Sequence, residues 1–357
     1  MTQEEIDIMY MRRCLQLAAN GLGRVRPNPL VGCVVVRQVE SGKWKVESEG
    51  YHQEYGHNHA ERNALLRPLP TTHYPLSTLY VNLEPCSHYG KTPPCADLII
   101  EKGIRRVVCC NDDPNPLVAG RGFRKLQEAG IEVVRHVLEA DGRELNRRFF
   151  TFMEQQRPYV ILKWAESADG FMAPSPLTEK TEENRIRNYS DNLVRNIPNS
   201  DSSARTYWLS TQAQNRLNHR WRTEEAAVLV GSETYLQDHP FLTPRHYLGP
   251  APQPVVLDRR GRLSFISQSE QKESSDCYKK DWLVLQSQSI PEVLHELYKR
   301  KLQSVIVEGG RKVLDAFIAS GLYDEVRILR SPQTLGSGLK APAIPQVPPH
   351  RLIIVKP

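Results

Sequence analysis

The sequence of 357 residues has no run of about 18 apolar residues, the length that a membrane-spanning helix needs, so we predict no membrane span. Its first residues, MTQEEIDIMYMRR, lack the basic and apolar regions of a secretory signal peptide. Neither sign of charge dominates, since 47 Lys and Arg stand against 41 Asp and Glu. The arginines are spread over both halves instead of being clustered with aromatics, which argues against a protein that binds nucleic acid.

Cysteine occurs seven times, an odd number, in a chain too long to depend on disulfide staples. We therefore expect a reduced, cytoplasmic protein in which some cysteines bind a metal and the others pack as small apolar side chains. The cysteines expected to be inert are Cys14, Cys33, Cys109, Cys110 and Cys277. The net charge of +6 fits phosphorylated small substrates and nucleic acid about equally well.

The chain length and the hydrophobic pattern predict two α/β domains, 1–150 and 151–357. In the first, the pattern predicts a mixed sheet with helices over 4–19, 59–67, 95–100, 123–129 and 139–156, and strands over 30–36, 44–50, 78–83, 106–110 and 131–134. In the second, it predicts strands over 159–163, 226–230, 254–258, 304–307, 325–329 and 352–355, with helices near 211–223, 291–301 and from 311. Residues 174–205 contain few large apolar side chains and are predicted to be an irregular insertion.

Three metal-binding side chains and one acid occur at spacings that suit a catalytic zinc site. His59 and Glu61 open a predicted helix, Cys86 lies at the end of a predicted strand, and Cys95 lies in the first turn of another helix. One histidine and two thiolates give zinc three ligands and leave its fourth position for a water molecule, whose pKa zinc lowers toward neutrality. Glu61 is placed to move protons, as in the H-x-E and P-C-x-x-C pattern of zinc deaminases, although here the cysteines are nine positions apart.

Two other interpretations of these residues remain open from the sequence. One is a structural zinc site, and the other is a pair of free buried cysteines beside an unrelated histidine. A structural site would want four protein ligands, and H-x-E combined with two suitably placed cysteines is far more specific than H-x-E alone. We therefore predict a zinc-dependent deaminase with Glu61 as its catalytic acid and base.

The segments RPNPLVGCVVV, GYHQEYGHNHAE, LEPCSHYGKTPPC and DPNPLVAGRG together resemble the bacterial deaminase–reductase family of riboflavin biosynthesis. The eight residues SHYGKTPP between the cysteines separate this pattern from cytidine and tRNA-adenosine deaminases. The resemblance covers nearly the whole chain and implies a cytidine-deaminase-like α/β/α domain followed by a dihydrofolate-reductase-like α/β domain. It also implies deamination of 2,5-diamino-6-ribosylamino-4(3H)-pyrimidinone 5′-phosphate, with His59, Cys86 and Cys95 as zinc ligands and Glu61 as the proton shuttle.

Neighbours of the zinc motif then become candidates for binding the phosphorylated pyrimidine. Asn28 either hydrogen-bonds the pyrimidine or stabilises its own turn, and Lys91 either meets the phosphate or is a solvated loop lysine. Asn115 and the turn over 120–122 are candidates for binding the ribose phosphate through backbone amides and a helix N-terminus. His52 is interpreted as a buried histidine without a role in binding.

In the second half the resemblance rests on LKWAESADG, TYW, HRWRTEEAAVLVGSETYLQDHPFLTPR, VVLDRRGR and VEGGRKVLDAF, and it implies an NADPH-dependent reductase that opens the ribosyl ring of the deaminated product. In VEGG a strand ends, two glycines let the backbone approach a ligand, and a helix N-terminus offers free amides to a pyrophosphate. By family position the substrate side would include Thr206, Arg222, Arg245 and Glu308, and the cofactor side Glu166, Trp208, Thr234, Asp238, Gly309, Gly310, Arg311 and Lys312. The family also implies a homo-oligomer.

Three alternatives to a bifunctional enzyme of flavin synthesis stay open at this point. The first is a monofunctional deaminase whose C-terminal domain has lost hydride chemistry. The second is a deaminase of nucleic-acid bases, which the spread of the arginines and the length between the cysteines disfavour. The third is a zinc-stabilised binding module, which predicts a closed metal site and no role for Glu61. The leading hypothesis is the bifunctional enzyme, with zinc and NADPH as cofactors.

Overall fold

Apolar runs in the first half of the chain form five strands, and these make one mixed sheet. The computed structural model describes residues 1–66, 74, 77–90, 92–115, 118–175, 209–263, 282–344 and 351–357. The strands are β1 (Gly32–Gln38), β2 (Trp44–Tyr51), β3 (Ser77–Leu83), β4 (Arg106–Asn111) and β5 (Glu132–Val134), in the sheet order β2-β1-β3-β4-β5. β1 runs antiparallel to both neighbours, whereas β3, β4 and β5 are parallel. No helix within the described ranges is long and apolar enough to cross a membrane.

Helices cover both faces of this sheet. They are α1 (Gln3–Ala19), α2 (Ala60–Leu65), α3 (Cys95–Glu101), α4 (Arg121–Glu128), α5 (Glu139–Leu145) and α6 (Arg147–Gln155). On one face, Met11 and Cys14 of α1 pack against Tyr80 of β3. On the other face, Ile99 of α3 and Leu126 of α4 belong to a second buried cluster. Because β3 is central and covered on both sides, all seven of its residues are buried.

The second half is built on a seven-stranded sheet in which every pair is parallel. Its strands are β6 (Tyr159–Glu166), β8 (Ala227–Gly231), β9 (Gln253–Leu257), β10 (Leu283–Leu285), β11 (Ser304–Val307), β12 (Glu325–Arg330) and β14 (Arg351–Val355), in the order β10-β9-β8-β11-β6-β12-β14. The helices are α7 (Gln212–Glu224), α8 (Ser232–Asp238), α9 (Ile290–Lys299) and α10 (Arg311–Ser320). A small antiparallel pair, β7 (Phe171–Pro174) and β13 (Gly338–Lys340), stands apart from this sheet.

The sequence-based elements are confirmed in kind and order, with three differences. Helix α8 was not predicted, since seven residues give few repeats of the helical period. The helix predicted over 139–156 is divided at Asn146, whose side chain hydrogen-bonds the backbone N–H and the carbonyl of Leu30 at 2.8 and 2.9 Å. The short strands β7, β10 and β13 were not predicted, since strands of three or four residues carry little periodic signal. The insertion predicted over 174–205 lies, beyond residue 175, outside the described residues.

A buried group of charged side chains joins the two halves of the chain. Arg148, on α6, donates two hydrogen bonds to Glu225 at 2.8 and 2.5 Å, and Arg327, on β12, lies 3.4 Å from the same carboxylate. Arg327 also donates to Glu325 at 2.7 Å. We call these four side chains the interface cluster. All four are buried, so each charge depends on its partners for compensation in a low-dielectric environment.

Candidate active sites

Three side chains from separate elements meet at one end of the first sheet. His59 is the N-cap residue of α2, Cys86 follows β3, and Cys95 is the first residue of α3. The Nδ1 atom of His59 lies 3.5 Å from the Sγ atom of Cys86 and 3.5 Å from that of Cys95. All three potential ligand atoms lie within 4.8 Å of one another, and they form the one such group found among the described residues.

The spacing of these atoms fits a tetrahedral zinc ion. Zinc lies about 2.0–2.1 Å from a histidine nitrogen and about 2.3 Å from a thiolate, so at a tetrahedral angle the nitrogen and sulfur atoms are about 3.5 Å apart. The observed separations have this value. A hydrogen bond from Cys95 and a second from His59 lower the pKa of the Cys86 thiol, which favours the thiolate that binds metal. The donor set therefore fits zinc, and its three members leave a fourth position for a water molecule.

Glu61 lies beside this group of donors and is shielded from solvent. It occupies the first turn of α2, and its side chain is 3% exposed. Burial raises the pKa of the Glu61 carboxyl, while the charge of His59 lowers it. The Glu61 carboxylate and Cys95 are hydrogen-bonding partners. An acid held this close to the metal donors can exchange protons with a water or a substrate bound there.

His52 connects Asn28 to the metal-binding group. The Nδ1 atom of His52 lies 2.9 Å from the carbonyl oxygen of Asn58, and because a carbonyl only accepts, Nδ1 carries the proton. Its Nε2 atom then accepts a hydrogen bond from the side-chain amide of Asn28 at 3.0 Å. The rings of His52 and His59 are 5.5 Å apart. His52 is buried as expected, but it also fixes the orientation of the Asn28 amide and thereby leaves Asn28 Oδ1 as an acceptor.

The helix N-terminus at 120–122 is already occupied by a carboxylate that the sequence did not single out. Glu84, 4% exposed, accepts hydrogen bonds from the backbone N–H groups of Gly120 at 3.0 Å and Gly122 at 2.9 Å. This corrects the expectation that these amides bind a ribose phosphate. Glu84 instead ties the loop that contains Asp113 and Asn115 to the strand end beside the metal-binding group.

Asp113 is a second acid that the sequence did not single out. Its Oδ1 atom accepts the backbone N–H of Asn115 at 2.8 Å. Burial raises the pKa of the Asp113 carboxyl to about 7. The position of Asp113 could have identified it as a candidate, because it follows the buried strand that ends at Asn111. Polar residues that follow buried parallel strands gather at one edge of the sheet.

In the second half, a carboxylate and two cations meet where β11 ends. Glu308 accepts two hydrogen bonds from Arg222 of α7, at 2.8 and 2.7 Å, and lies 3.8 Å from the Nζ atom of Lys163. Burial raises the pKa of Glu308, but the charges of Arg222 and Lys163 outweigh it and hold the pKa at about 2. Beside them, Asn218 Oδ1 and His219 Nδ1 are buried without a hydrogen-bond partner among the described residues. The sequence assigned no role to these neighbours, although Lys163 and His219 lie inside segments that carry the family resemblance and Asn218 directly precedes one of them.

The turn at Gly309 and Gly310 can accept only glycine. A Cβ atom on Gly309 would lie 2.7 Å from the side chain of Val230, and Gly310 has a φ of +67° at the N-terminus of α10. A Cβ atom on Gly310 would lie 3.2 Å from the hydroxyl oxygen of Thr234. Thr234, one of the candidate cofactor contacts, therefore lies next to this turn. The first turn of α10 contains Arg311 and Lys312, and the guanidinium of Arg311 pairs with Asp315.

The remaining candidates are more scattered. The carboxylate of Glu166, at the end of β6, accepts hydrogen bonds from Trp164 and from Arg330. Asp238 ends α8, and burial raises the pKa of its carboxyl. Arg245 lies over the ring of Phe241, at 5.2 Å from its centroid. The candidates Lys91, Thr206 and Trp208 lie outside the described residues, as does Cys277.

Two family models match the chain, one in each half. The model of the cytidine and deoxycytidylate deaminase zinc-binding region matches residues 4–111, and the RibD C-terminal domain matches residues 158–355. Riboflavin biosynthesis protein RibD from Aquifex aeolicus (strain VF5) is 35% identical over 353 residues, which cover 94% of this chain and 89% of that protein. RibD from Escherichia coli (strain K12) is 32% identical over 360 residues, which cover 93% and 89%.

Solved structures show the same similarity over both halves. A diaminohydroxyphosphoribosylaminopyrimidine deaminase/5-amino-6-(5-phosphoribosylamino)uracil reductase from Thermotoga maritima has a TM-score of 0.73 and 34% identity, and the match covers 98% of this chain and 94% of that one. The RibD structure from Acinetobacter baumannii, form 1, has a TM-score of 0.75 and 31% identity, with 95% and 90% covered.

These similarities decide between the alternatives that the sequence left open. A monofunctional deaminase with an inactive C-terminal domain is not supported, because the match to bifunctional relatives runs through both halves. The expected fold class is confirmed, and so are zinc and NADPH as cofactors and a small pyrimidine as substrate. The chain therefore belongs to the RibD family of riboflavin biosynthesis proteins, as a bifunctional enzyme that joins a zinc-dependent deaminase to an NADPH-using reductase.

Proposed function

We propose that the N-terminal site removes an amino group of 2,5-diamino-6-ribosylamino-4(3H)-pyrimidinone 5′-phosphate by hydrolysis of its bond to the ring carbon. The C-terminal site then reduces the ribosyl group to a ribityl group. The relative from Thermotoga maritima carries both activities in its name. The observation that carries the proposal is the group formed by His59, Cys86 and Cys95, with buried Glu61 beside it. We propose domain limits of 1–150 and 151–357.

The deamination assigns different tasks to the four residues. His59, Cys86 and Cys95 would hold zinc, which, when bound, supplies a water molecule that deprotonates near neutral pH. Glu61 would accept a proton from that water while the water oxygen bonds to the amino-bearing ring carbon. Glu61 would then deliver a proton to the departing nitrogen. The bond from carbon to nitrogen breaks and ammonia leaves, so one water is consumed for each ammonia released.

The substrate would be held by residues around this group. Asn28 is proposed to accept a hydrogen bond from the pyrimidine through its Oδ1 atom, because its amide nitrogen is committed to His52. Lys91 would meet the phosphate, and Asn115 would contact the ribose phosphate. The loop of Asn115 is held in place by Glu84, which accepts the backbone N–H groups of Asp113 and Gly120 at its two ends.

The reduction would use the site at the ends of β6 and β11. Arg222, Arg245, Glu308 and Thr206 are the proposed substrate contacts, supported by the buried, unpartnered atoms of Asn218 and His219, which suit a polar ligand. NADPH, when bound, supplies the hydride. Its proposed contacts are Glu166, Trp208, Thr234, Asp238, Gly309, Gly310, Arg311 and Lys312. The two glycines would let its pyrophosphate approach the start of α10.

Two further proposals come from the family and the cysteines. We propose a cytoplasmic location, where Cys86 and Cys95 stay reduced, and a homo-oligomeric assembly. Immunolocalisation and light scattering of the purified protein test them separately.

The order of the two reactions tests the proposed function. Purified protein given the diaminopyrimidine phosphate and NADPH is expected to release ammonia first, with NADPH absorbance falling after a lag. The same protein given the deaminated compound is expected to oxidise NADPH without a lag and without ammonia. Oxidation of NADPH by the diaminopyrimidine before any ammonia appears would contradict this order.

A further inference from the structure

We propose that Gln303, in the reductase half, positions the turn of residues 26–29 that presents Asn28 in the deaminase half. The side-chain amide of Gln303 donates a hydrogen bond to the carbonyl oxygen of Pro27 at 2.9 Å. Gln303 itself is held in place, because it is 4% exposed and its backbone carbonyl accepts a hydrogen bond from the backbone N–H of Tyr159 at 3.0 Å. This inference rests on the proposed role of Asn28 in binding the pyrimidine.

A second contact between the halves lies three residues before the turn. Gly23 has a φ of +83°, and a Cβ atom there would lie 2.4 Å from the carbonyl oxygen of Thr223. Thr223 belongs to the last turn of α7, in the reductase half. The segment that enters the turn is therefore packed directly on the reductase half, at a distance that only glycine permits.

A third contact is electrostatic and involves the first residue of the turn. Burial lowers the pKa of Arg26 to about 10, while the charge of Glu225 opposes this change and that of Arg148 adds to it. Arg26 therefore lies within electrostatic reach of the interface cluster. Its Nη1 atom is buried with no hydrogen-bond partner among the described residues, so the attraction to Glu225 compensates part of its charge.

The far end of the turn is held by residues of the deaminase half. The backbone N–H of Leu30 donates to Asn146, and its carbonyl accepts from Asn146 and Asn82 at 2.9 Å each. Asn28 thus lies between one anchor from each half of the chain. Without the bond from Gln303, the carbonyl of Pro27 is free to move, and the amide of Asn28 can shift from its 3.0 Å contact with His52.

The consequence is that deamination depends on the reductase half, although the chemistry of deamination uses none of its residues. Gln303 is a positioning residue in this scheme, since it acts on the substrate through Asn28. The reductase site is expected to be unaffected, because within the described part of the chain the hydrogen bonds of Gln303 join it to Pro27 and Tyr159, and not to Glu308 or the glycine turn.

Gln303→Met in the full-length chain tests this proposal, because methionine keeps the volume of the side chain and removes its donor. We expect kcat/KM for ammonia release to fall about fivefold, the effect of one neutral hydrogen bond. NADPH oxidation with the deaminated substrate should keep its kcat and KM, which reports that the variant is folded. Arg351→Ala is the matched control, since it removes the exposed pair with Glu144 that also joins the halves, and it should leave deamination unchanged.

The double variant with Asn28→Ala separates this proposal from the proposed role of Asn28. If Gln303 acts through Asn28, Gln303→Met has no further effect in the Asn28→Ala chain. Three results would overturn the positioning role of Gln303 and leave the binding role of Asn28 standing. The two substitutions could lower kcat/KM for ammonia release additively, or Gln303→Met could lower ammonia release and NADPH oxidation equally. The third result is slower ammonia release in Asn28→Ala together with wild-type ammonia release in Gln303→Met. Unchanged deamination by Asn28→Ala would overturn the binding role of Asn28 and with it the inference.

Discussion

Replacing Glu61 with glutamine is expected to reduce ammonia release by about 10²–10⁴-fold, the contribution of a positioned general acid and base. Glutamine has nearly the same volume as glutamate but cannot accept and return a proton. Because Glu61 is buried and is not one of the three proposed ligands, zinc should remain bound at one ion per chain. Ammonia release and metal content, measured on the same preparation, check both expectations.

The control for this variant is Glu101→Gln, at the exposed end of α3, which should release ammonia at the wild-type rate. NADPH oxidation with the deaminated substrate should be unchanged in both variants, because the reductase site lies in the other half. Wild-type ammonia release by Glu61→Gln would refute the proposed proton transfer, and loss of zinc would show that Glu61 supports the metal instead.

Replacing Glu225 with leucine is expected to lower the free energy of unfolding by about 3–5 kcal/mol. The carboxylate of Glu225 compensates the buried guanidinium groups of Arg148 and Arg327. Leucine fills similar space but leaves both cations without this partner in a low-dielectric environment. Urea unfolding, followed by tryptophan fluorescence, measures the change.

The comparison variant is Glu154→Gln, which removes one partner of the exposed pair with Arg143 and should cost no more than about 1 kcal/mol. A loss of that size for Glu225→Leu would mean that the interface cluster contributes no more than a surface pair.

The pH dependence of unfolding gives the same residue an independent test. Burial raises the pKa of Glu225, but Arg148 and Arg327 outweigh it and hold the pKa at about 2, below the ordinary value of 4.5. A carboxyl with a lowered pKa stabilises the fold above its ordinary pKa, and this stability is lost as the pH falls toward the folded value. The difference in stability between wild type and Glu225→Leu should therefore shrink between about pH 4.5 and pH 2.

Much of the deaminase site could be predicted because its proposed metal ligands and its acid occur in short sequence motifs. His59 and Glu61 share one helix start, and Cys86 and Cys95 each follow a proline. Strand and helix ends bring such motifs to one edge of a sheet, so their meeting followed from the order of elements. The hydrogen bond between Asn28 and His52 was not predicted, because the residues around His52 in the sequence do not distinguish it from a merely buried histidine.

The residues that sequence reasoning missed have partners that are remote in the chain. Glu84 binds amides at 120 and 122, and Gln303 binds the carbonyl of Pro27, 276 positions away. A polar side chain carries no periodic signal, so its partner emerges only from the packing of elements. The same reason explains why Asn146 was not recognised as the break between two helices: its hydrogen bonds reach back to Leu30.

Because the proposed zinc ligands lie in the deaminase half, we expect zinc to be required for deamination and not for the NADPH-dependent reduction. Ammonia release and NADPH oxidation, measured in parallel before and after removal of zinc with a chelator, test it most directly. Zinc removal should abolish ammonia release and added zinc should restore it, while NADPH oxidation with the deaminated substrate stays constant. Ammonia release that survives complete loss of zinc, or NADPH oxidation that never occurs, would contradict the account.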